Sequence, residues 1–393
     1  MNLSKASLKI SLTLYLLFFI FTTKAQDTLL VENKSKIIDT EEQSKKTYPK
    51  FKVGGVFQAR YLDSFKRDVD VEGLNHSTDS YVQNTFEIKR MRISMNANLS
   101  DNLSVVTLVN LADFKSDPKT RVLENAYAQY KVSKSITYQV GQFRPAFGME
   151  DSYPVDIVKS IDFSNSYYLL GSNGWQSFQI GAAISGRLDI KEKIPFHYAI
   201  SMTNGNGKNK IDNNNGKHYA GRFYFDLNTK NNFKLGVSAG IGDENSKTIY
   251  ALGVEGTYTF HLSENWSIEV QSEGFKAINQ SLYFSTPEAN RLGNISDYIL
   301  KGAYVLPSLK YVIGIEHLHA IDLSMRYEYL DANSKLDSNP RQTWVPMISV
   351  EFQKNYGVRL QAGVQIDNYR KNIPNTKIYN ADLAFLQFQC RLQ

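Results

Sequence analysis

The chain has 393 residues, of which 42% are hydrophobic and 12% aromatic, and its formal net charge is +6. The single cysteine, Cys390, excludes an internal disulfide, and the modest charge is spread along the chain, which argues against a nucleic-acid-binding arm. Beyond residue 25 no apolar stretch reaches the roughly 20 residues that a membrane-spanning helix needs. A helical membrane protein is therefore excluded.

The N-terminus has the features of an export signal. A short basic region contains Lys5 and Lys9, an apolar run follows over 10–21, and the small side chains Thr23 and Ala25 lie at the positions that a signal peptidase reads. The alternative is a membrane anchor, but this apolar run is too short to cross a bilayer. We predict a signal peptide over 1–25, removed on export.

The region after the signal divides into a polar leader and a long alternating segment. Residues 26–50 are polar, charged and poor in aromatics, which predicts a flexible periplasmic leader. From residue 51 to 393 apolar and polar residues alternate, as when Leu386 and Phe388 alternate with Gln387 and Gln389. A period of two is typical of strands with one face in an apolar medium and the other in water.

Long and short polar connections alternate along this segment. The long ones are 63–83, 144–175, 204–216, 277–296 and 368–377, and the short ones are 100–102, 133–135, 229–231 and 354–355. Long external loops and short periplasmic turns are typical of an all-β, antiparallel transmembrane barrel, here of about sixteen strands. Closure leaves no unpaired strand edge in lipid, and sixteen strands leave a water-filled lumen. The alternative, a soluble β-sandwich, does not explain the loop lengths.

The alternation also predicts which charged side chains face the lumen. The basic ones are Arg60, Arg90, Arg92, Arg222, Arg326, Arg359 and Arg391, and the acidic ones are Glu255, Glu269, Glu273, Glu328 and Glu351. Guanidinium groups bind phosphate and carboxylate, so a column of them favours anions. The alternative is that each arginine pairs with a neighbouring acid. For Arg326 and Glu328, two residues apart on one face, this alternative stays open. Arg90 and Arg92 have no acid between them, which favours contact with solute.

Neither a catalytic site nor a metal or cofactor site is predicted. The six histidines are not accompanied by a G-x-S-x-G motif. His317 and His319 lie two residues apart without further ligands, so we assign them to a turn. The Asn- and Gly-rich stretch 204–215 lacks EF-hand spacing and is interpreted as a flexible external loop.

Several segments have the pattern of a known family. They are 86–93 (FEIKRMRI), 124–130 (ENAYAQY) and 140–150 (VGQFRPAFGME), with weaker similarity at 221–223 and 325–329. Together they resemble the phosphate-selective porin O and P family. The G-x-F-x-P-x-F-G-x-E stretch is the most specific of these. The resemblance implies a sixteen-stranded, usually trimeric barrel whose third external loop, here 144–175, folds into the lumen.

The third loop is expected to form the constriction. Its charged residues are Arg144, Glu150, Asp151, Asp156, Lys159 and Asp162, two basic against four acidic. Family members that select phosphate have a basic constriction, so this loop departs from the pattern. The chain also ends on Gln393, whereas outer-membrane barrels commonly end on an aromatic residue that the assembly machinery reads.

The sequence thus predicts a passive porin in the outer membrane of a Gram-negative-type bacterium. Its expected partners are outer-membrane lipid, the assembly machinery, further copies in a homotrimer, and small inorganic or organic anions such as phosphate. The alternative is a non-conducting barrel that acts as an adhesin or surface-binding protein through its large loops.

Overall fold

The computed structural model describes residues 47–77, 80–115, 118–190 and 194–392. The predicted signal peptide and most of the predicted leader lie outside these residues. Thr47–Gln393 forms one compact unit. Within the described ranges, no helix has the length and apolarity needed to cross a membrane.

Sixteen antiparallel strands form one closed barrel, in which each strand pairs with its neighbours in sequence and β1 pairs with β16. They are β1 (Lys50–Ser64), β2 (Asn84–Asn98), β3 (Leu103–Asn110), β4 (Leu123–Lys131), β5 (Thr137–Phe143), β6 (Gln179–Ile190), β7 (Ile194–Thr203), β8 (His218–Asn228), β9 (Phe233–Glu244), β10 (Lys247–His261), β11 (Trp266–Ile278), β12 (Ile299–Ile315), β13 (Leu318–Asp331), β14 (Arg341–Glu351), β15 (Val358–Tyr369) and β16 (Ala381–Leu392). The predicted fold class and strand number are confirmed.

Helices occur only as short pieces in the described connections. The α-helices are α1 (Pro118–Arg121), α2 (Asn165–Ser172) and α3 (Gln280–Ser285), and the 3₁₀ helices are Leu111–Lys115, Glu150–Ser152, Glu288–Asn290, Ile295–Asp297 and Lys354–Tyr356.

The connections divide the barrel into a loop end and a turn end. The loop-end connections are L1 (65–83), L2 (111–122), L3 (144–178), L4 (204–217), L5 (245–246), L6 (279–298), L7 (332–340) and L8 (370–380). The turns at the other end are short, for example 99–102, 229–232 and 316–317. L5 corrects the expected alternation of long and short connections, because only Asn245 and Ser246 join β9 to β10.

Strand β10 illustrates how the barrel distributes its side chains. Its inward positions are buried and include Ala251 and Glu255, whereas the outward Leu252 and Val254 are 51% and 61% exposed. A soluble protein would bury such apolar side chains, but a membrane barrel presents them to hydrocarbon. The apolar half of the alternation is therefore the outer surface.

A β-bulge in β2 interrupts the alternation. Gln58 of β1 lies opposite Arg90, whereas the next residue, Ala59, lies opposite Ile88, so Lys89 is an extra residue in β2. A bulge bends the strand and re-aims the side chains beside it. As a result Lys89 and Arg90, although adjacent, both reach the same acidic partner inside the barrel.

Apolar packing inside the barrel joins L3 to widely separated parts of the wall. Phe147 packs in a cluster with residues of β10, β11 and β12. Ile161 packs with Val345 of β14, and Phe163 lies in a third cluster with Val56 of β1. L3 thus crosses the lumen, as the family resemblance implied.

Candidate functional site: the lumen and its constriction

Two glutamates of the wall bind the backbone of L3. Glu273 of β11 accepts hydrogen bonds from the N–H groups of Met149 and Glu150, at 2.5 and 3.0 Å. Glu328 of β13 accepts one from the N–H of Ser166, at 2.7 Å, in the first turn of α2. A buried N–H group that is left without an acceptor costs about 1–3 kcal/mol, so these acceptors stabilise the docked loop. These two glutamates therefore fix the position of L3.

Two arginines of the wall bind carbonyl oxygens of the same loop. Arg326 of β13 donates to the carbonyl of Asp162 at 2.7 Å, and Arg359 of β15 donates to the carbonyl of Asp156 at 2.8 Å. Each of the two arginines is only 2% exposed. L3 is therefore held through its main chain to one part of the wall, formed by β11, β13 and β15.

These contacts correct part of the sequence interpretation, which placed all twelve wall residues along a water-filled lumen. Four of them are buried and bind the main chain of L3: Arg326, Arg359, Glu273 and Glu328. Arg326 and Glu328 are neighbours there, with Nε of Arg326 3.9 Å from Oε2 of Glu328.

Most of the remaining predicted wall residues form ion pairs. The pairs are Arg222–Glu255 at 2.6 Å, Lys310–Glu351 at 2.8 Å, Lys159–Glu269 at 3.3 Å, Arg391–Asp156 at 2.9 Å and Arg60–Glu87 at 2.5 Å. The acids of the wall and of L3 are thus largely neutralised by cations on the facing element.

Asp162 of L3 forms ion pairs with three basic side chains of β1 and β2. Its carboxylate lies 2.6 Å from Arg90, 3.0 Å from Lys89 and 3.8 Å from Arg60. Burial raises the pKa of Asp162, but attraction by these three cations outweighs it and holds the pKa well below its usual range. Although no acid lies between Arg90 and Arg92 in sequence, Arg90 thus has an acidic partner from a distant loop.

Glu150 and Asp151 of L3 lie in a different environment. Burial raises the pKa of each carboxyl to about 7, against the attraction of Arg326 for Glu150 and of Arg144 for Asp151. Arg144 also donates to the carbonyl oxygens of Asp151 and Tyr153, at 2.6 and 2.9 Å. Two of the four acids of the loop thus titrate near neutral pH.

A cavity of about 430 Å³ lies on the loop side of L3. Side chains of L2, L3 and L4 border it together with β2 and β4. Its charged residues are five basic and two acidic: Lys89, Arg90, Arg92, Arg121 and Lys208, with Asp113 and Glu124. Its aromatic lining comes from Phe163, Tyr167, Tyr168 and Phe178.

A second cavity, of about 960 Å³, opens toward the turn end, where Asn355 and Tyr356 border it. Its charged residues are four basic and two acidic: Lys52, Arg92, Arg144 and Arg391, with Asp151 and Asp156. An excess of positive charge therefore lies on both sides of L3, although the loop itself has more acids than bases.

Arg92 of β2 borders both cavities. Its Nε lies 2.6 Å from Oε2 of Glu124 on β4, and Nζ of Lys208 in L4 lies 3.8 Å from the other oxygen of that carboxylate. The acidic partner of Arg92 comes from a neighbouring part of the wall rather than from its own strand. The cluster of Arg92, Glu124 and Lys208 separates the two cavities on the β2–β4 side of the barrel.

Sequence reasoning missed several residues of this site. Glu124 lies within one of the family-like segments, which was the available signal for it. Lys208 lies in the stretch interpreted as a flexible loop, but L4 is fixed there, since the N–H of Asn209 donates to Gln142 of β5 at 2.6 Å. No local pattern distinguishes Arg121. Within the described ranges, no three His, Cys, Asp or Glu side chains are grouped to hold a metal ion.

Comparisons with known proteins agree with this architecture. The chain is similar in structure to the outer membrane channel DcaP of Acinetobacter baumannii (TM-score 0.54, 12% identity, 87% of this chain and 97% of that chain covered) and to an anion-selective porin from Comamonas acidovorans (TM-score 0.56, 6% identity, 88% and 100%). It is also similar to the trimer form of OmpT of Vibrio cholerae (TM-score 0.51, 12% identity, 88% and 100%). At these identities the similarity concerns the fold. No curated protein matches the chain in sequence.

A family match comes from the sequence itself. The model of the phosphate-selective porin O and P family matches residues 64–249, which include β2 to β9, L3 and both sides of the Arg92 cluster. Over these residues the chain is similar in sequence to the phosphate-selective porin O and P family.

Proposed function

We propose that the chain is a passive diffusion porin of the outer membrane and that its path favours small anions such as phosphate. The observation that carries this proposal is the position of Arg92, which borders both cavities. A solute that enters from the loop end passes through the smaller cavity, crosses the Arg92 cluster, and leaves through the larger cavity. The path is off-centre because L3 and its contacts fill the side next to β10–β15.

The charge balance of the path supports anion preference. The smaller cavity has five basic against two acidic residues and the larger one four against two, with Arg92 in both sets. Fixed positive charge in a narrow, low-dielectric passage raises the local anion concentration and lowers the barrier to anion entry. The acids of L3 do not reverse this balance, because wall cations pair with Asp156 and Asp162.

A planar-bilayer recording tests the proposal. Purified protein is expected to insert as open, ohmic channels whose current is linear in voltage, because a preformed path needs no gating step. Bilayers that stay sealed at high protein concentration would contradict a porin and favour the adhesin-like alternative, in which the loops act outside the barrel.

We also propose a homotrimer in which β3, β4 and β5 face the neighbouring copies. These strands have 8, 9 and 7 residues, whereas β1 and β2 have 15 each. A tilted strand needs about 9–11 residues to cross the hydrocarbon, so this wall is short for lipid. Contact with a second copy would cover it. Removal of residues 1–25 on export and insertion by the assembly machinery belong to the same proposal.

A further inference from the structure

Two lysines face each other on the outer surface of the barrel near the loop end. Lys276 of β11 and Lys301 of β12 are directly opposite in the strand register. Both are exposed. Their outward direction follows from their neighbours, since Phe275 and Ala277 are buried inside and Gly302 lies against Ser166 of L3.

This arrangement is unfavourable unless an anion accompanies it. Like charges directly opposite each other on a sheet repel, and lysine on the lipid face of a barrel costs free energy that grows with depth in the bilayer. In the part of the chain that the structure describes, neither lysine has an ion-pair partner within 4 Å. Asp331 of β13 lies opposite Lys301 on its other side, but it is buried and accepts hydrogen bonds from Ser338 and the N–H of Asn333.

The height of the pair corresponds to the headgroup region. Lys276 lies two residues before the end of β11, and Lys301 two residues after the start of β12. Leu252 of β10, directly opposite Lys276, is exposed to the outside. Val305 lies four residues along β12 from Lys301, a distance of about 14 Å along the strand. It is opposite Tyr327 of β13, whose ring is 4.4 Å from the ring of Trp344. Such aromatic pairs mark the edge of the hydrocarbon, so the lysines lie above it.

We propose that Lys276 and Lys301 together bind a phosphate group in the headgroup of an outer-leaflet lipid. Two ammonium groups on adjacent strands can hold one phosphate between them. The inference rests on the membrane setting of the barrel and not on conductance. Loss of lipid binding therefore does not imply loss of conductance, and loss of conductance does not imply loss of lipid binding.

The test measures binding of lipid A, a phosphate-bearing glycolipid, to the purified full chain in detergent micelles, with dephosphorylated lipid A and inorganic phosphate as the other ligands. The double variant K276Q/K301Q is expected to bind lipid A about thirtyfold more weakly, the combined factor for two lysines near an anionic surface. The matched control K210Q/K371Q removes two exposed lysines from L4 and L8 at the same end and is expected to bind as the unmodified protein does.

Equal affinity of the unmodified protein and K276Q/K301Q would overturn the proposal, as would equal weakening in the control. Undiminished binding of dephosphorylated lipid A would show that phosphate is not recognised. Inorganic phosphate binding as tightly as lipid A would overturn the assignment to a lipid. A folding check uses thermal unfolding without lipid, where the double variant is expected to be at least as stable because the repulsion is gone.

Discussion

Arg90 of β2 and Asp162 of L3 form an ion pair at 2.6 Å although they lie 72 positions apart in the chain. This pair fastens one side of L3 to the wall, and Glu273, Glu328, Arg326 and Arg359 fasten the other. The loop therefore fills much of the lumen and directs solutes toward the wall formed by β2–β5. The predictions below concern the charge of that path, the attachment of the loop, its pH dependence and the subunit contact.

Replacing Arg92 with Gln is expected to lower the anion-to-cation permeability ratio. The change removes the positive charge that borders both cavities and leaves Glu124 with Lys208 alone. We expect a decrease of about threefold, because partial screening by salt reduces the effect of one charge. Reversal potentials in a salt gradient measure the ratio, and Arg92→Lys should restore most of it. A ratio that is the same in all three proteins would make Arg92 a structural charge only.

Replacing Glu273 with Gln is expected to loosen L3. The single amide oxygen of Gln cannot accept both N–H groups that the carboxylate binds, those of Met149 and Glu150. An unsatisfied buried N–H costs about 1–3 kcal/mol, so the loop should leave its position more often. Single-channel recordings should then show a larger and noisier conductance.

The matched control for this change is Glu264→Gln, at an exposed position in the turn 262–265 between β10 and β11. It removes the same charge without contacting L3, and its recordings should match the unmodified channel. If Glu273→Gln behaves as this control does, L3 is not held by Glu273.

The position of L3 is expected to depend on pH. The pKa values of Glu150 and Asp151, both in L3 and outside the membrane-spanning strands, are raised to about 7. A carboxyl with a raised pKa stabilises the docked loop fully at a pH below its ordinary pKa. This stabilisation is lost as the pH rises through the raised pKa. Docking should therefore weaken as pH rises through 7, and conductance noise should increase.

Asp162 does not oppose this trend in the same pH range. Its pKa is lowered, so the stability from its ion pairs is present above the ordinary value of 3.8 and is lost only as pH falls below it. The double variant E150Q/D151N should remove the change around pH 7, as measured by single-channel noise on both sides of that pH. A pH response of unchanged size in the double variant would assign it to other groups.

Replacing Val140 with Arg is expected to separate the trimer into monomers. Val140 lies on β5, within the short-strand wall, and is 61% exposed. Val254 on β10 is equally exposed and is the matched control, because an arginine facing lipid at either position costs about 2–4 kcal/mol near the midplane. Unheated gels or light scattering in detergent should show monomers for V140R and trimers for V254R. If V140R and V254R both form trimers, the subunit contact lies at another part of the barrel wall.

The fold could be predicted from the sequence because lipid imposes a strict rule on every strand. Leu386 and Phe388 must face outward and Gln387 and Gln389 inward, and this alternation reveals strand number and closure. The path could not be predicted in the same way. The bulge at Lys89 breaks the alternation locally, and the partners of Arg90 and Arg92 come from a distant loop and a neighbouring strand. Strand alternation assigns a side chain to the lumen but does not tell whether water or L3 covers it.

The reversal potential of the unmodified channel in a KCl gradient tests the central claim most directly, because it reports the charge of the path without any substitution. A net basic path on both sides of L3 predicts a potential with the sign of the chloride equilibrium potential, which phosphate added to both sides should reduce by competing for the path. A potential with the sign of the potassium equilibrium potential would contradict the account.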